Sequence, residues 1–240
     1  MFLLKLDRKI KIDYVEYTEG GDFWNSITNR FKYSCHLHGS FFTFKKQSGQ
    51  RIDPVDCIRR RVEHFFIMRA KNVISPCKAM VELVETEIGK KLINAYIIPY
   101  PVDTRQIKPV RNKTKLNKVT IFFASRNDPL KGGDLLIHIL ELLTPKIQSK
   151  IKVKFYGYVP YQDLSHLPFL HINKFVPKAD LEIAYQDADI CVIPSLFDNS
   201  PNTVYEAMAH GKIVVASSVG GIPEIIGDKE NGFLFDPTDI

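Results

Sequence analysis

Short runs rich in β-branched and aromatic residues alternate with helical patterns along almost all of this 240-residue chain. Such alternation is typical of βαβ units, in which crossover helices join parallel strands. We predict strands at residues 13–17, 33–37, 72–75, 95–99, 119–124, 152–157, 189–194 and 212–217. We predict helices at residues 54–70, 77–88, 132–148, 179–187 and 201–210. Because the strands lack clean polar alternation, helices are expected on both faces of each sheet.

The composition is that of an ordinary globular protein, with 45% apolar and 25% charged residues. No apolar run approaches the roughly 18 residues of a membrane-spanning helix, and charges follow the "MFLL" start so closely that we expect no signal peptide. We therefore expect a cytoplasmic protein. The four cysteines form no CxxC pair, which predicts buried reduced thiols rather than a zinc site or disulfides: Cys35, Cys57, Cys77 and Cys191.

The two halves of the chain carry opposite net charge. Residues 1–120 contain 23 Lys and Arg against 12 Asp and Glu, whereas residues 121–240 contain 10 against 15. A basic half could face an anionic membrane surface or nucleic acid, or it could be a solvated surface with no partner. No recognised nucleic-acid-binding motif is present, so we expect no nucleic acid partner.

Residues 101–118 interrupt the alternation with two prolines, six basic residues and little apolar content. This segment is the best candidate for a linker. We therefore predict one domain at 1–110 and a second domain at 111–240.

Polar residues follow directly after several predicted strands. Arg126 and Lys131 follow strand 119–124, Asp198 and Glu206 follow strand 189–194, and His38 follows strand 33–37. Ligands of open α/β sheets bind beyond the carboxyl ends of the strands. Each pair alone could be a surface ion pair or a helix cap, but together at successive strand ends they favour one site.

The segment "FDNSPNTVYEAMAHGK" predicts a helix with a defined start and end. Ser200 is expected to cap it, Pro201 to occupy its first position, and Gly211 to end it. Free N–H groups and the positive dipole end at this start, together with Arg126 and Lys131, would hold a diphosphate. Carboxylates beside an anion site suit sugar hydroxyls, so the pattern favours a nucleoside diphosphate sugar.

Residues 119–238 resemble the C-terminal half of the retaining family 4 glycosyltransferases, which have the GT-B fold. The resemblance rests on "DNSPNTVYEAMAHGKIVVASSVGGIPEII" and on the phosphate element "SRNDPLKGG". Upstream, "HLHGS", "VISPCKAMVELV" and "IIPYPVD" are similar to the later N-terminal domain of the same family. The resemblance implies two Rossmann-like domains with parallel sheets, the first incomplete and the second lacking its last helices.

The resemblance also assigns roles to particular residues. It implies that Arg126 and Lys131 bind the donor diphosphate, that Lys131 helps neutralise the departing group, and that Glu206 holds the ribose hydroxyls. Asp198, which is one methylene shorter than the family's usual glutamate, would hold the transferred sugar. The backbone N–H groups near Asn202 and Thr203 would assist it.

The same resemblance implies that His38 approaches the donor sugar from the opposite domain. His36 could be confused with His38, but His38 adjoins the turn at Gly39. In retaining members, the leaving phosphate oxygen would take the acceptor proton on the same face.

The predicted function is therefore sugar transfer from a nucleoside diphosphate sugar to a polysaccharide or lipid-linked acceptor, as in lipopolysaccharide or capsule biosynthesis. The alternatives are an inactive nucleotide-binding remnant and a GT-B nucleotide-sugar epimerase.

The "DAD" at 187–189 has the spacing of a metal-binding motif of another fold, but we predict a turn or capping role and neither metal nor other cofactor. The segments "RRR" (59–61) and "FFTFKK" (41–46) would suit an anionic inner membrane face, or else a solvated helix face and an aromatic core cluster.

Overall fold

The computed structural model describes residues 6–7, 9–20, 30–104, 107, 118–174 and 176–239. These residues form two compact units, Met1–Pro99 (unit 1) and Tyr100–Ile240 (unit 2). The predicted domain boundary after residue 110 and most of the predicted linker lie outside the described residues.

Unit 1 contains a four-stranded parallel sheet whose strands lie in sequence order. Its strands are β1 (Tyr14–Thr18), β2 (Lys32–His36), β3 (Asn72–Ser75) and β4 (Ala95–Ile97). Its helices are α1 (Phe41–Gln47), α2 (Pro54–Arg69) and α3 (Lys78–Ile88). The core of the unit packs buried residues of β2 and β3 against α3, among them Cys35, Val73 and Met80.

A capping box begins α2. The Asp53 carboxylate accepts the N–H of Asp56, and the Asp56 carboxylate accepts the N–H of Asp53, each at 2.9 Å. Pro54 takes the first helical position, where its missing N–H costs no hydrogen bond. Lys45 Nζ lies 2.5 Å from Asp56 Oδ2, so this cap also ties α1 to α2.

Unit 2 contains a six-stranded parallel sheet in the order β10-β9-β8-β5-β6-β7. Its strands are β5 (Val119–Ala124), β6 (Ile151–Tyr156), β7 (Leu170–Asn173), β8 (Ile190–Ile193), β9 (Ile213–Ser217) and β10 (Phe233–Phe235). Its helices are α4 (Gly133–Leu142), α5 (Pro145–Gln148), α6 (Lys178–Asp187) and α7 (Asn202–Ala209). Since β6 lies on one side of β5 and β8 on the other, the strand order reverses at β5 and opens a crevice beyond the ends of β5 and β8.

All eight predicted strands are present, each within two residues of its expected bounds. The single helix predicted at 132–148 is wrong, because α4 ends at Leu142 and Pro145, which cannot continue a helix, begins the separate α5. Strands β7 and β10 and helix α1 were not predicted. Helix α1 occupies "FFTFKKQ", and only Phe42 and Thr43 of it are buried.

Candidate functional site

Two loops border the crevice of unit 2, residues 125–132 after β5 and residues 194–201 after β8. In the first loop, Asp128 Oδ1 accepts the N–H of Leu130 at 3.0 Å and starts a short 3₁₀ turn, Pro129–Lys131. The carbonyl of Leu130 accepts the N–H of Leu196 at 2.8 Å. This bond joins the two loops across the point where the strand order reverses.

Two glycines allow close backbone approach at these loops. Gly132 has φ 71° and Gly220 has φ 53°. A Cβ at Gly132 would lie 1.8 Å from the carbonyl oxygen of Pro194, and a Cβ at Gly220 would lie 1.8 Å from that of Asp198. Both positions therefore require glycine, for conformation and for space. They set the backbone positions of Lys131, next to Gly132, and of Asp198.

Lys131 and Asp198 form an ion pair in the crevice, with Lys131 Nζ 2.6 Å from Asp198 Oδ2. The same oxygen accepts the hydroxyl of Ser195 at 3.2 Å. The Asp198 side chain is only 9% exposed and that of Lys131 27%. A carboxylate so enclosed needs charged and polar partners, and these two supply them.

A cavity of about 310 Å³ opens between the two loops. Five of the predicted site residues line it: Arg126, Lys131, Asp198, Asn202 and Thr203. Its remaining lining is Tyr100, Phe123, Ala124, Ser125, Val192, Ile193, Ser195, Ser200 and Pro201. The structure thus brings both predicted cations and the start of α7 to one place.

The predicted cap of α7 is wrong by one residue. Pro201, not Ser200, is the N-cap, because its ψ of 121° is extended and the helix begins at Asn202. The Ser200 hydroxyl lies instead 3.2 Å from that of Tyr205. No side chain caps α7, and its first turn lines the cavity, so the positive end of the helix dipole lies at the cavity wall. Gly211 has φ 67°, which confirms the predicted left-handed residue beyond the helix end.

Glu206 does not line this cavity. It lies one turn beyond Thr203 on α7, where its Oε2 accepts the hydroxyl of Tyr185 at 2.9 Å. Burial, reinforced by the Glu206 carboxylate, raises the pKa of Tyr185 well above its ordinary value, so the phenol stays protonated and donates. Sequence reasoning missed Tyr185 because it lies on α6, far from the motif.

A second, mostly apolar cavity of about 230 Å³ shares Ala124, Ser125, Arg126 and Thr203 with the first. Its other lining residues are Tyr156, Gly157, Val176 and Leu181. The shared residues make the two cavities neighbours, and Lys131 and Asp198 line only the first of them.

His38 lies in unit 1, where it is exposed and lies two residues after the end of β2. Its ring lies 4.7 Å, centroid to centroid, from the ring of His36, and His36 Nδ1 lies 2.8 Å from Glu16 Oε1. Buried Glu19 accepts the backbone N–H of both His38 and Gly39. Glu19 was not predicted, although it follows β1 as His38 follows β2, so the same strand-end rule could have found it.

The "DAD" segment has structural roles. Asp189 Oδ2 accepts the N–H of Thr120 at 2.8 Å, and Asp187 Oδ2 lies 2.5 Å from Lys154 Nζ. Among the described residues, no group of three His, Cys, Asp or Glu side chains is placed to hold a metal ion. The four cysteines are free thiols, and all but Cys57 are buried.

Residues 118–240, just over half of the chain, match the family "Glycosyl transferases group 1". The chain therefore belongs to this glycosyltransferase family. It is 28% identical over 152 residues to the MMP α-(1→4)-mannosyltransferase of Mycolicibacterium hassiacum, a match that covers 60% of this chain and 36% of that protein. It is 31% identical over 137 residues to the D-inositol 3-phosphate glycosyltransferase of Corynebacterium efficiens, which covers 52% of this chain and 32% of that protein. The chain thus spans about a third of these curated relatives.

Solved structures show the same fold. Sucrose-phosphate synthase from Thermosynechococcus elongatus superposes with a TM-score of 0.79 at 20% identity, over 99% of this chain and 64% of that chain. HepE of Anabaena, solved in complex with UDP, gives a TM-score of 0.76 at 20% identity, over 98% of this chain and 67% of that chain. The α/β fold with two parallel sheets is that of the GT-B glycosyltransferases, as predicted.

Proposed function

We propose that this protein binds a nucleoside diphosphate sugar in the crevice of unit 2. It would transfer the sugar, with retention of anomeric configuration, to a polysaccharide or lipid-linked acceptor. One observation carries the proposal: Arg126, Lys131 and the first turn of α7 line a single cavity. Two cations and a positive dipole end around a concave site fit a diphosphate.

The ion pair gives this site a defined resting state. Asp198 neutralises Lys131 until an anion arrives, and a diphosphate would then compete for Lys131 Nζ. Charge grows on the diphosphate as the sugar leaves, so Lys131 and Arg126 would stabilise the transition state more than the ground state. Released from Lys131, the Asp198 carboxylate could accept hydroxyls of the transferred sugar.

The nucleoside would occupy the neighbouring apolar cavity. Arg126 and Thr203 border both cavities, so a diphosphate in the first could extend into the second without a gap. Glu206, one turn along α7 from Thr203, is assigned the ribose hydroxyls. HepE of Anabaena has been solved with UDP and with UDP-glucose, which supports this class of donor.

Product analysis tests the proposal. The chain is incubated with UDP and GDP sugars, with and without glycan or lipid-linked acceptors, and products are identified by NMR. Release of nucleoside diphosphate with an acceptor glycosylated in the donor's anomeric configuration supports transfer with retention, and EDTA is expected to leave the rate unchanged. An isomerised nucleotide sugar formed without acceptor would indicate an epimerase, and binding without turnover an inactive remnant.

Unit 1 offers a second interaction, with an anionic membrane surface. Five apolar residues are exposed on α2 at spacings of three or four: Val55, Ile58, Val62, Phe65 and Met68. Exposed Arg59 and Arg61 lie on the same helix, and the Arg59 guanidinium lies 5.4 Å from the ring of Phe41 on α1. Apolar side chains flanked by arginines fit the interface of an anionic bilayer. In the part of the chain that the structure describes, no helix is long and apolar enough to span a bilayer.

Vesicle sedimentation tests this surface. We expect the chain to bind phosphatidylglycerol vesicles more than phosphatidylcholine vesicles, less so at high salt, and the double variant Arg59→Glu, Arg61→Glu to lose binding. The double variant Lys78→Glu, Lys90→Glu, with the same charge change on and after α3, is the control. Equal loss in both variants would indicate net charge rather than a defined surface.

A further inference from the structure

A stacked aromatic pair lies against Glu206 in unit 2. The rings of Tyr185 and His210 are 4.9 Å apart and inclined by only 16°. Both side chains are almost fully buried, at 2% and 1% exposure. The Tyr185 hydroxyl donates to Glu206 Oε2 at 2.9 Å, and His210 Nδ1 lies 2.8 Å from the backbone carbonyl oxygen of Glu206. One residue of α7 is thus held at its carboxylate and at its backbone by one stacked pair.

The His210 ring is itself anchored to α6. Its Nε2 lies 2.7 Å from Glu182 Oε2, while its Nδ1 faces the carbonyl of Glu206. A carbonyl and a carboxylate are both acceptors, so both bonds form together only when a proton lies on Nδ1 and a second lies between Nε2 and Glu182. Buried hydrogen bonds of this kind hold their partners in a fixed orientation.

The same helices also border the apolar cavity. Leu181 on α6 and Thr203 on α7 line that cavity. Tyr185 lies four residues after Leu181 and Glu206 three residues after Thr203, so each shares a helix face with its cavity-lining neighbour. The bond between Tyr185 and Glu206 therefore joins α6 to α7 one turn away from the cavity wall.

We infer that Tyr185 and His210 are positioning residues for Glu206, and that they orient its carboxylate to receive the vicinal hydroxyls of the donor ribose. This inference rests on the proposed function, which assigns the ribose to Glu206. Tyr185 engages Oε2, which leaves Oε1 as the oxygen assigned to the ribose. Without the Tyr185 hydroxyl, the Glu206 carboxylate would rotate. The difference in affinity between a ribonucleotide and its 2′-deoxy form would then become smaller.

Isothermal titration of the whole chain with UDP, GDP and their 2′-deoxy forms tests the inference. Tyr185→Phe removes one hydroxyl and keeps the ring stack. We expect it to weaken binding of the ribonucleotide by about 5- to 20-fold, near the lower end of the loss of a hydrogen bond to a charged group, and to weaken binding of the 2′-deoxy form, which keeps only the 3′ hydroxyl, by a smaller factor. Tyr158→Phe is the matched control, since Tyr158 is equally buried and donates to the Asp134 carboxylate on α4.

Equal weakening of both nucleotide forms by Tyr185→Phe would indicate a merely structural role and overturn the inference, as would no weakening at all. The hydrogen bond from Tyr185 to Glu206 can also be tested without ligand, by NMR measurement of how fast the Tyr185 hydroxyl proton exchanges with water. Tyr161, which is 94% exposed, is the reference. Slow exchange supports the bond, and exchange as fast as that of Tyr161 contradicts it. If the parent chain binds neither UDP nor GDP, the proposed function is contradicted. The NMR measurement still shows whether Tyr185 donates a hydrogen bond to Glu206.

Discussion

Lys131 Nζ lies 2.6 Å from Asp198 Oδ2, so the cation assigned to the donor diphosphate is paired with the carboxylate assigned to the donor sugar. The two residues come from loops that follow β5 and β8, and the Leu130–Leu196 backbone bond holds those loops together. Under the proposed function, the donor diphosphate would compete with this carboxylate for Lys131. The proposal therefore predicts that donor affinity changes when either residue is replaced.

Replacement of Asp198 by Asn is expected to strengthen UDP or GDP binding and to weaken discrimination in favour of the corresponding nucleotide sugar. The amide keeps the shape of the side chain but no longer competes for Lys131, a gain of about 1 kcal/mol or roughly 5-fold. Titration calorimetry measures both ligands, with Asp187→Asn as the control because Asp187 pairs with Lys154 at 2.5 Å. Weaker UDP binding by Asp198→Asn would contradict this competition.

Gly132→Ala is expected to destabilise the protein by about 2 to 5 kcal/mol, the sum of left-handed strain and overpacking against Pro194. Gly89→Ala separates the two effects. Gly89 has φ 74° but nothing within 4 Å of an added Cβ, so it should lose only about 1 to 2 kcal/mol. Denaturant unfolding followed by circular dichroism measures both variants, and equal losses would refute the close approach to Pro194.

His38→Ala is expected to reduce sugar transfer without changing affinity for UDP or GDP, because His38 belongs to unit 1 and the diphosphate cavity to unit 2. Glu19→Ala should act similarly through the turn, since Glu19 accepts the N–H groups of His38 and Gly39. Glu19→Gln, which keeps an acceptor oxygen, should restore most of the rate. Steady-state kinetics beside calorimetry distinguish these cases, and a loss of UDP affinity in His38→Ala would contradict the assignment.

Acid is expected to lower the stability of the protein by protonating Asp56, whose carboxylate links α1 to α2 through Lys45. The N–H of Asp53, followed by Lys45, lowers the pKa of Asp56 below its ordinary value. A lowered pKa contributes stability that is present above the unfolded-state pKa, near 4, and that is lost as the pH falls through the folded-state pKa. Thermal unfolding between about pH 7 and pH 2 should therefore show less acid sensitivity in Asp56→Asn than in the parent. An unchanged acid sensitivity would exclude Asp56 as a contributor.

Much of the architecture follows from the order of the residues. Short runs rich in β-branched and aromatic residues, such as "VTIFFA" and "NVIS", favour strands, and both of these strands were located with their bounds. The edge strands β7 and β10 were missed because short strands with exposed residues carry little periodic signal. Helix α1 was missed because its aromatic residues also suited a core cluster.

The rule that ligands bind beyond the carboxyl ends of parallel strands correctly placed Arg126, Lys131 and Asp198 in one crevice, because these ends lie at one edge of the sheet. It could not predict that Lys131 and Asp198 pair, since that depends on how far the Gly132 and Gly220 backbones approach neighbouring carbonyls. Nor could it identify Tyr185 as the partner of Glu206, because that contact joins two helices through tertiary packing.

Calorimetric titration of UDP and GDP into Arg126→Ala and Lys131→Ala tests the shared diphosphate site most directly. Lys154→Ala, which breaks a comparable ion pair with Asp187, is the matched control. The account predicts that each site variant loses about 1.5 to 3 kcal/mol of binding free energy, while Lys154→Ala binds as the parent does. Parent-like binding by both Arg126→Ala and Lys131→Ala would contradict the account.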